Sequence, residues 1–204
     1  MPESGGFSPM QVVRRTGTEP FRNGEFLLKQ TLLDFWRWSA SDLVGNAMRG
    51  VLAEYIVASA LDLPQTVRVE WDAFDLKTPA GVSIEVKSAA YLQSWDQKAF
   101  SRITFGIQPT RAWEAATNDY TGHLRRQADV YVFCLLHHQD KATVDPLDMD
   151  QWTFYILPAA VLDERFPAQK SIGLVSLLKL DAICASYQEL AVKIVGLDLS
   201  ERTV

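Results

Sequence analysis

The chain has little cysteine, no long apolar run and no excess of positive charge, and each shortage excludes a class of protein. Its two cysteines, Cys134 and Cys184, lie far apart in apolar surroundings. That excludes a disulfide scaffold and a zinc site of clustered thiols, and both are expected as reduced core residues. No apolar stretch approaches the roughly 20 residues needed to cross a bilayer, so no membrane partner is expected. The opening residues Met1-Pro2-Glu3-Ser4-Gly5-Gly6 lack a basic segment followed by an apolar one, which predicts a cytoplasmic protein. With 20 basic and 25 acidic residues the net charge is −5, which argues against a general nucleic-acid binder, because phosphate contacts need Lys and Arg. There is also no Gly-rich phosphate loop, no serine nucleophile elbow and no Cys–His metal spacing.

What is present is enough apolar material, 48% of 204 residues, to bury one sizeable core. The most informative stretch runs from Asp75 to Lys87, Asp-Leu-Lys-Thr-Pro-Ala-Gly-Val-Ser-Ile-Glu-Val-Lys. It reads as strand, tight turn and second strand. Successive side chains of a strand point to opposite faces, so Glu85 and Lys87 share one face while Ile84 and Val86 share the other. Closure at Pro79-Ala80-Gly81 returns Asp75 to Glu85 and Lys87, converging two carboxylates and one amine. Two carboxylates suit a hard divalent cation, and an amine beside it suits a developing anion or an attacking water.

The distribution of charge sharpens this. Residues 86–126 carry six basic and three acidic side chains, a net of +3, whereas 1–85 carry 8 and 11 and 127–204 carry 6 and 11. The only net-basic third follows the Glu-Val-Lys directly, as a phosphodiester site requires.

Elsewhere, residues 1–42 read as an N-terminal arm and leading element, with a helix expected from Glu25 to Trp38. Residues 43–204 read as one α/β domain. Ser39–Asp42 is a capping cluster, and apolar positions from Leu43 to Ala60 recur at helical spacing before Pro64. Period two then predicts a strand over Val67–Trp71. Further strands are expected at Ser101–Ile107, Asp129–Leu136 and Trp152–Leu157, the second of them buried on both faces. Trp113–Arg126 reads as loop or weak helix, and helices are expected at Val161–Asp163 and over Leu180–Lys193.

This order of helix, Asp-bearing hairpin, Glu-Val-Lys strand and further apolar strands resembles the PD-(D/E)xK nuclease superfamily over a core of about 43–157. The resemblance implies a restriction-endonuclease-like fold, a central mixed β-sheet flanked by helices. It implies Asp75 as the metal-binding Asp, Glu85 as the second metal carboxylate and Lys87 as the Lys completing the motif. Glu54 on the preceding helix would be the additional acid. Asp72 competes for the Asp role, but Asp75 lies closer to the turn and can pair with the Glu85 strand. Phe74 stands before Asp75 where the motif has Pro. The implied cofactor is Mg²⁺ or Mn²⁺, with the Val86 carbonyl as a third protein oxygen. The implied partner is DNA, contacted through Gln93, Trp95, Gln97, Lys98 and Arg102, and a homodimer is the expected assembly. The implied function is Mg²⁺-dependent hydrolysis of DNA phosphodiesters. The alternative is a catalytically inactive nuclease-fold protein that binds nucleic acid or protein.

Overall fold

The computed structural model describes residues 10–63, 67–68, 73–114, 119–197 and 199. Val69 to Asp72, which hold most of the strand expected over 67–71 and the rival acid Asp72, lie outside the described residues. The chain forms two compact units, Met1–Ser41 with Pro64–Val69 and Asp42–Leu63 with Glu70–Val204.

The first unit contains strands β1 (Pro20–Asn23) and β2 (Phe26–Thr31) and helix α1 (Leu32–Ala40). The helix expected from Glu25 is therefore helical only from Leu32. Two local features divide it. Gly24, at φ +60°, closes a two-residue turn that pairs Asn23 with Phe26, a left-handed position that glycine takes without penalty. Thr31 then starts the helix through a capping box: the Thr31 N–H donates to Asp34 Oδ2 at 2.8 Å and the Asp34 N–H returns to Thr31 Oγ1 at 3.4 Å. The box satisfies two of the helix's orphan donors.

The second unit is built on a five-stranded mixed sheet. In chain order its elements are α2 (Asn46–Ala60), β3 (Leu76–Lys77), β4 (Ser83–Ala90), β5 (Thr104–Gly106), β6 (Thr110–Glu114), β7 (Asp119–Arg125), β8 (Val130–Leu136), β9 (Trp152–Pro158), α3 (Ala159–Arg165), β10 (Ser171–Gly173), α4 (Leu174–Leu178), β11 (Ile183–Ala185) and α5 (Leu190–Val195). The sheet order is β11-β9-β8-β4-β3, with β4 and β8 parallel and the other pairs antiparallel. Every residue of β8 is buried, as its unbroken apolar run predicts. The Asp129 carboxylate anchors the parallel pair at its start, accepting from the Ser83 N–H and hydroxyl, both at 2.8 Å. The resulting register sets Glu85 opposite Tyr131 and Lys87 opposite Phe133.

The two faces of this sheet have separate cores. Ile84, Val86, Val132, Phe154 and Ile156 pack with Ala53, Ile56 and Val57 of α2 and with Leu190 and Ile194 of α5. Tyr131, Phe133, Leu135 and Leu157 pack with Phe105, Leu162, Ile172 and Leu177 on the opposite side, where the Phe105 and Phe133 rings lie 5.1 Å apart. Three expectations need correction. Where a loop or weak helix was expected over Trp113–Arg126, β6 (Thr110–Glu114) and β7 (Asp119–Arg125) pair antiparallel, because backbone pairing holds a polar segment extended. The helix expected over Leu180–Lys193 is strand β11 followed by a 3₁₀ turn and the short α5. Cys184, expected in the core, is exposed on the edge strand β11, whereas Cys134 is buried.

The β3–β4 turn depends on one backbone conformation. Thr78 N–H donates to the Val82 carbonyl and Gly81 N–H to the Thr78 carbonyl, both at 2.9 Å, with Gly81 at φ +86°. A side chain there is strained by about 1–2 kcal/mol. Gly81→Ala is expected to lower unfolding stability in urea by about 1 kcal/mol with the far-UV circular dichroism unchanged.

Candidate active site

The site begins where β3 stops. The pairs Thr78–Val82 and Leu76–Ile84 place the next ladder bond between the Val86 N–H and the Phe74 carbonyl. Residues 73–75 bend away instead. The Val86 N–H donates to Asp75 Oδ2 at 2.7 Å, and the Asp75 N–H donates to the Ile84 carbonyl at 3.1 Å. The Asp75 carboxylate thus stands in for the missing backbone carbonyl. The N–H and C=O of one strand residue leave on the same side, so the Val86 carbonyl faces the Asp75 edge as well.

Across the strands, Asp75 lies close enough to Glu85 to feel its charge. Glu85 and Lys87 are half-buried and joined by an ion pair between Glu85 Oε1 and Lys87 Nζ. Burial, then the Glu85 charge, and more weakly the Glu54 charge push the Asp75 carboxyl up to about 6, against the opposing pull of the Val86 N–H and Lys87. Glu54 reaches this cluster from α2, which packs on β4 through Ala53 and Val57. Three acids and one amine therefore converge on one end of β4, and the acids outnumber the amine. Crowding of this kind marks sites that hold a cation or handle protons.

The acids beside Lys87 offer only oxygens, which suit a hard cation. Among the described residues, no group of three or more His, Cys, Asp and Glu side chains is spaced to hold a metal ion. The oxygens here that could hold a cation are those of Asp75, Glu85 and the Val86 carbonyl.

The expected nucleic-acid contacts fall into two groups. Gln93 is buried, its amide donating to the Ala90 carbonyl (3.4 Å) and Ser101 Oγ (3.2 Å) and accepting from Arg49 Nη1 (3.4 Å). Gln97 is tied into the same loop, accepting from the Gln93 N–H at 2.7 Å and donating to the Tyr91 carbonyl and Ser101. Both glutamines hold the loop after β4 in shape. Trp95, Lys98 and Arg102 are exposed. Of the basic third, Arg126 is buried and fully engaged: it donates to the Ile107 carbonyl, the Asp163 carboxylate (2.6 Å) and the Phe166 carbonyl.

Two residues at the site escaped the sequence. Tyr131 faces Glu85 across the parallel pair, and burial followed by the Glu85 charge pushes its phenol pKa upward. Arg49 is buried, donating to the Val44 carbonyl and to Asn46 Oδ1, each at 2.7 Å. Burial lowers its pKa. It links α2, which carries Glu54, to the Gln93 loop. Neither had a signal in the sequence, because Tyr131 meets Glu85, and Arg49 meets Gln93, across more than forty residues.

Residues 30–174, well over half of the chain, match the family model of bacteriophage T4 endonuclease IV. The chain belongs to that family. No curated protein sequence matches it. Among the described residues no helix is long and apolar enough to cross a membrane.

The raised Asp75 pKa sets a pH dependence of stability. The folded state binds the Asp75 proton up to about pH 6, whereas the unfolded chain releases it near pH 4. The folded state therefore holds more protons between these values, and stability falls as pH rises through them. A neutral Asn keeps an oxygen for the Val86 N–H and escapes this loss. In EDTA-containing buffer, Asp75→Asn is expected to gain stability over wild type as pH rises from 4 to 7, by on the order of 2 kcal/mol, and to level off above. Urea titrations at each pH measure it; a difference flat with pH refutes it.

Proposed function

From that family membership and from the acids that converge on Lys87, we propose that the protein is a metal-dependent nuclease that hydrolyses DNA phosphodiesters. Its catalytic core is of the PD-(D/E)xK, restriction-endonuclease-like type. The observation that carries this reading is the gathering of Glu85, Glu54 and Lys87 about Asp75 in a half-buried place, where burial first and then the Glu85 charge raise the Asp75 carboxyl to about 6. The carboxylates of Asp75 and Glu85 with the Val86 carbonyl would hold Mg²⁺ or Mn²⁺. When bound, such a cation polarises the scissile phosphate and lowers the pKa of its water.

The chain's own residues do the rest. Asp75 is fixed by the Val86 N–H at 2.7 Å, so its second oxygen is presented in a set direction. Lys87, ion-paired with Glu85, brings a cation to the phosphate oxygens as charge builds on them in the transition state. Glu54 orients the water or the cation from the helix side. Exposed Trp95, Lys98 and Arg102, on the segment that follows β4, provide a ring for base stacking and cations for phosphates.

Cleavage of plasmid and single-stranded DNA in Mg²⁺ or Mn²⁺ tests the reading. EDTA is expected to abolish it, and Asp75→Ala and Lys87→Ala are each expected to lower the rate at least ~100-fold with the fold intact by circular dichroism. Wild-type cleavage by both variants would remove the site assignment.

A further inference from the structure

A cleft of about 550 Å³ opens in the second unit beyond the end of β4. One wall is the segment after β4, with Tyr91, Ser101, Arg102 and Thr104; the other is β10 and α4, with Ser171 and Ser176. Alternation along β4 puts Glu85, Lys87 and Ala89 on one face of the sheet, and Tyr91 continues that row just past the strand. Ala89 and Tyr91 pack with Phe105, Ile172 and Leu177, the core on that side of the sheet. The cleft and the candidate site therefore share a sheet face. Tyr91 stands four residues after Lys87, which is roughly 13 Å of strand, the axial reach of about four nucleotides.

The polar groups of the cleft are donors. Ser101 Oγ accepts from Gln93 Nε2 at 3.2 Å and from Gln97 Nε2 at 3.1 Å. The amide oxygens of both glutamines are already engaged, that of Gln93 by Arg49 Nη1 and that of Gln97 by the Gln93 N–H. Each therefore turns its NH₂ group to Ser101. A hydroxyl has two lone pairs and one proton, so Ser101 has only its proton left to give. Arg102 offers only N–H groups, and among the described residues it makes no ion pair or hydrogen bond. The hydroxyls of Thr104, Ser171 and Ser176 make none among the described residues either. No described residue that lines the cleft is acidic, in a chain whose net charge is −5. The ligand that fits is negative, accepts hydrogen bonds and donates none. The oxygens of a phosphodiester meet all three conditions.

We propose that this cleft is a subsite for the phosphate backbone of a nucleic-acid strand, about four nucleotides from the phosphate at Lys87. Phosphate contacts fix the register of a strand without reading its sequence. The subsite thus positions the strand along β4, with Arg102 and Ser101 donating from one wall and Ser171 and Ser176 from the other. The proposal rests on the nuclease reading for the identity of the polyanion as DNA, so its readout is binding without cleavage.

Fluorescence anisotropy in EDTA, with labelled oligonucleotides of two unrelated sequences and a salt titration of each, tests it. Arg102→Gln is expected to weaken binding of both sequences alike and to reduce the slope of log K against log salt by about 1. Ser171→Asp, which brings a carboxylate to the opposite wall, is expected to weaken both at least ~10-fold by like-charge repulsion. Val192→Glu adds the same charge on the exposed side of α5, across the sheet, and is expected to bind as wild type. All three positions are exposed, and unchanged circular dichroism checks the fold. A wild type that binds neither oligonucleotide overturns the proposal, as do cleft variants that bind as wild type or a Ser171→Asp loss no larger than that of Val192→Glu. A loss confined to one sequence overturns it in favour of a base pocket. Calorimetry with inorganic phosphate that shows binding as tight as the oligonucleotide's overturns it in favour of a free anion. Binding that responds as expected in a protein that cleaves nothing upholds the cleft while the nuclease reading fails. Metal-dependent cleavage with the cleft variants at wild-type affinity does the reverse.

Discussion

The bond from the Val86 N–H to the Asp75 carboxylate is the constraint on which the rest of the candidate site depends. It replaces a backbone rung where β3 ends. A β3 running on would have occupied the edge of β4 with its own carbonyl. A side-chain acceptor both satisfies Val86 and leaves a carboxylate and the Val86 carbonyl side by side. The tight turn at Gly81 and the short β3 bring Asp75 to the edge of β4 between Ile84 and Val86, and the Asp129–Ser83 anchor sets β8 beside the same strand.

The cluster is an uneven meeting of charges in a half-buried place. Lys87 offsets Glu85 directly, while Asp75 meets burial and two further acids and holds its proton to about pH 6. Two apolar cores fix the elements that carry these groups, one between the sheet and α2 and the other against β5, α3 and α4. Neither can relax to spread the charges without opening packed layers. Strain of this kind is common where a fold keeps a site ready for a charged ligand.

The polar loop after β4 shows how chemistry of a given type divides by place. Gln93 and Gln97 are turned inward as struts between Arg49, Tyr91 and Ser101, while Trp95, Lys98 and Arg102 face solvent from the same short segment. Arg126 likewise serves the fold rather than the surface, binding Asp163 and two carbonyls. The net-basic character of 86–126 thus overstates the positive surface, because the buried Arg126 charge is offset by its ion pair with Asp163.

The amino-acid order alone determined the elements whose signal is local. Period two and the Pro-Ala-Gly turn marked the Asp75–Lys87 hairpin, the unbroken apolar run marked the buried β8, and apolar spacing marked α2, although α2 starts at Asn46 after Gly45 and not at the expected Ser39–Asp42 cap. Helix and strand were confused where apolar residues ran together without a clear period, as at Phe26–Leu28, and where polar residues were held extended by a partner strand, as in β6 and β7. Only the tertiary structure decided that β8 lies parallel to β4, that Tyr131 stands beside Glu85, that Glu54 is close enough to raise the Asp75 pKa, and that Gln93 and Arg126 turn inward. The physical reason is the range of the forces. Turn geometry, capping and periodicity act over a few residues and are written in their order. Strand register, desolvation and Coulomb interactions act between segments distant in the chain, and they exist only once the chain has packed.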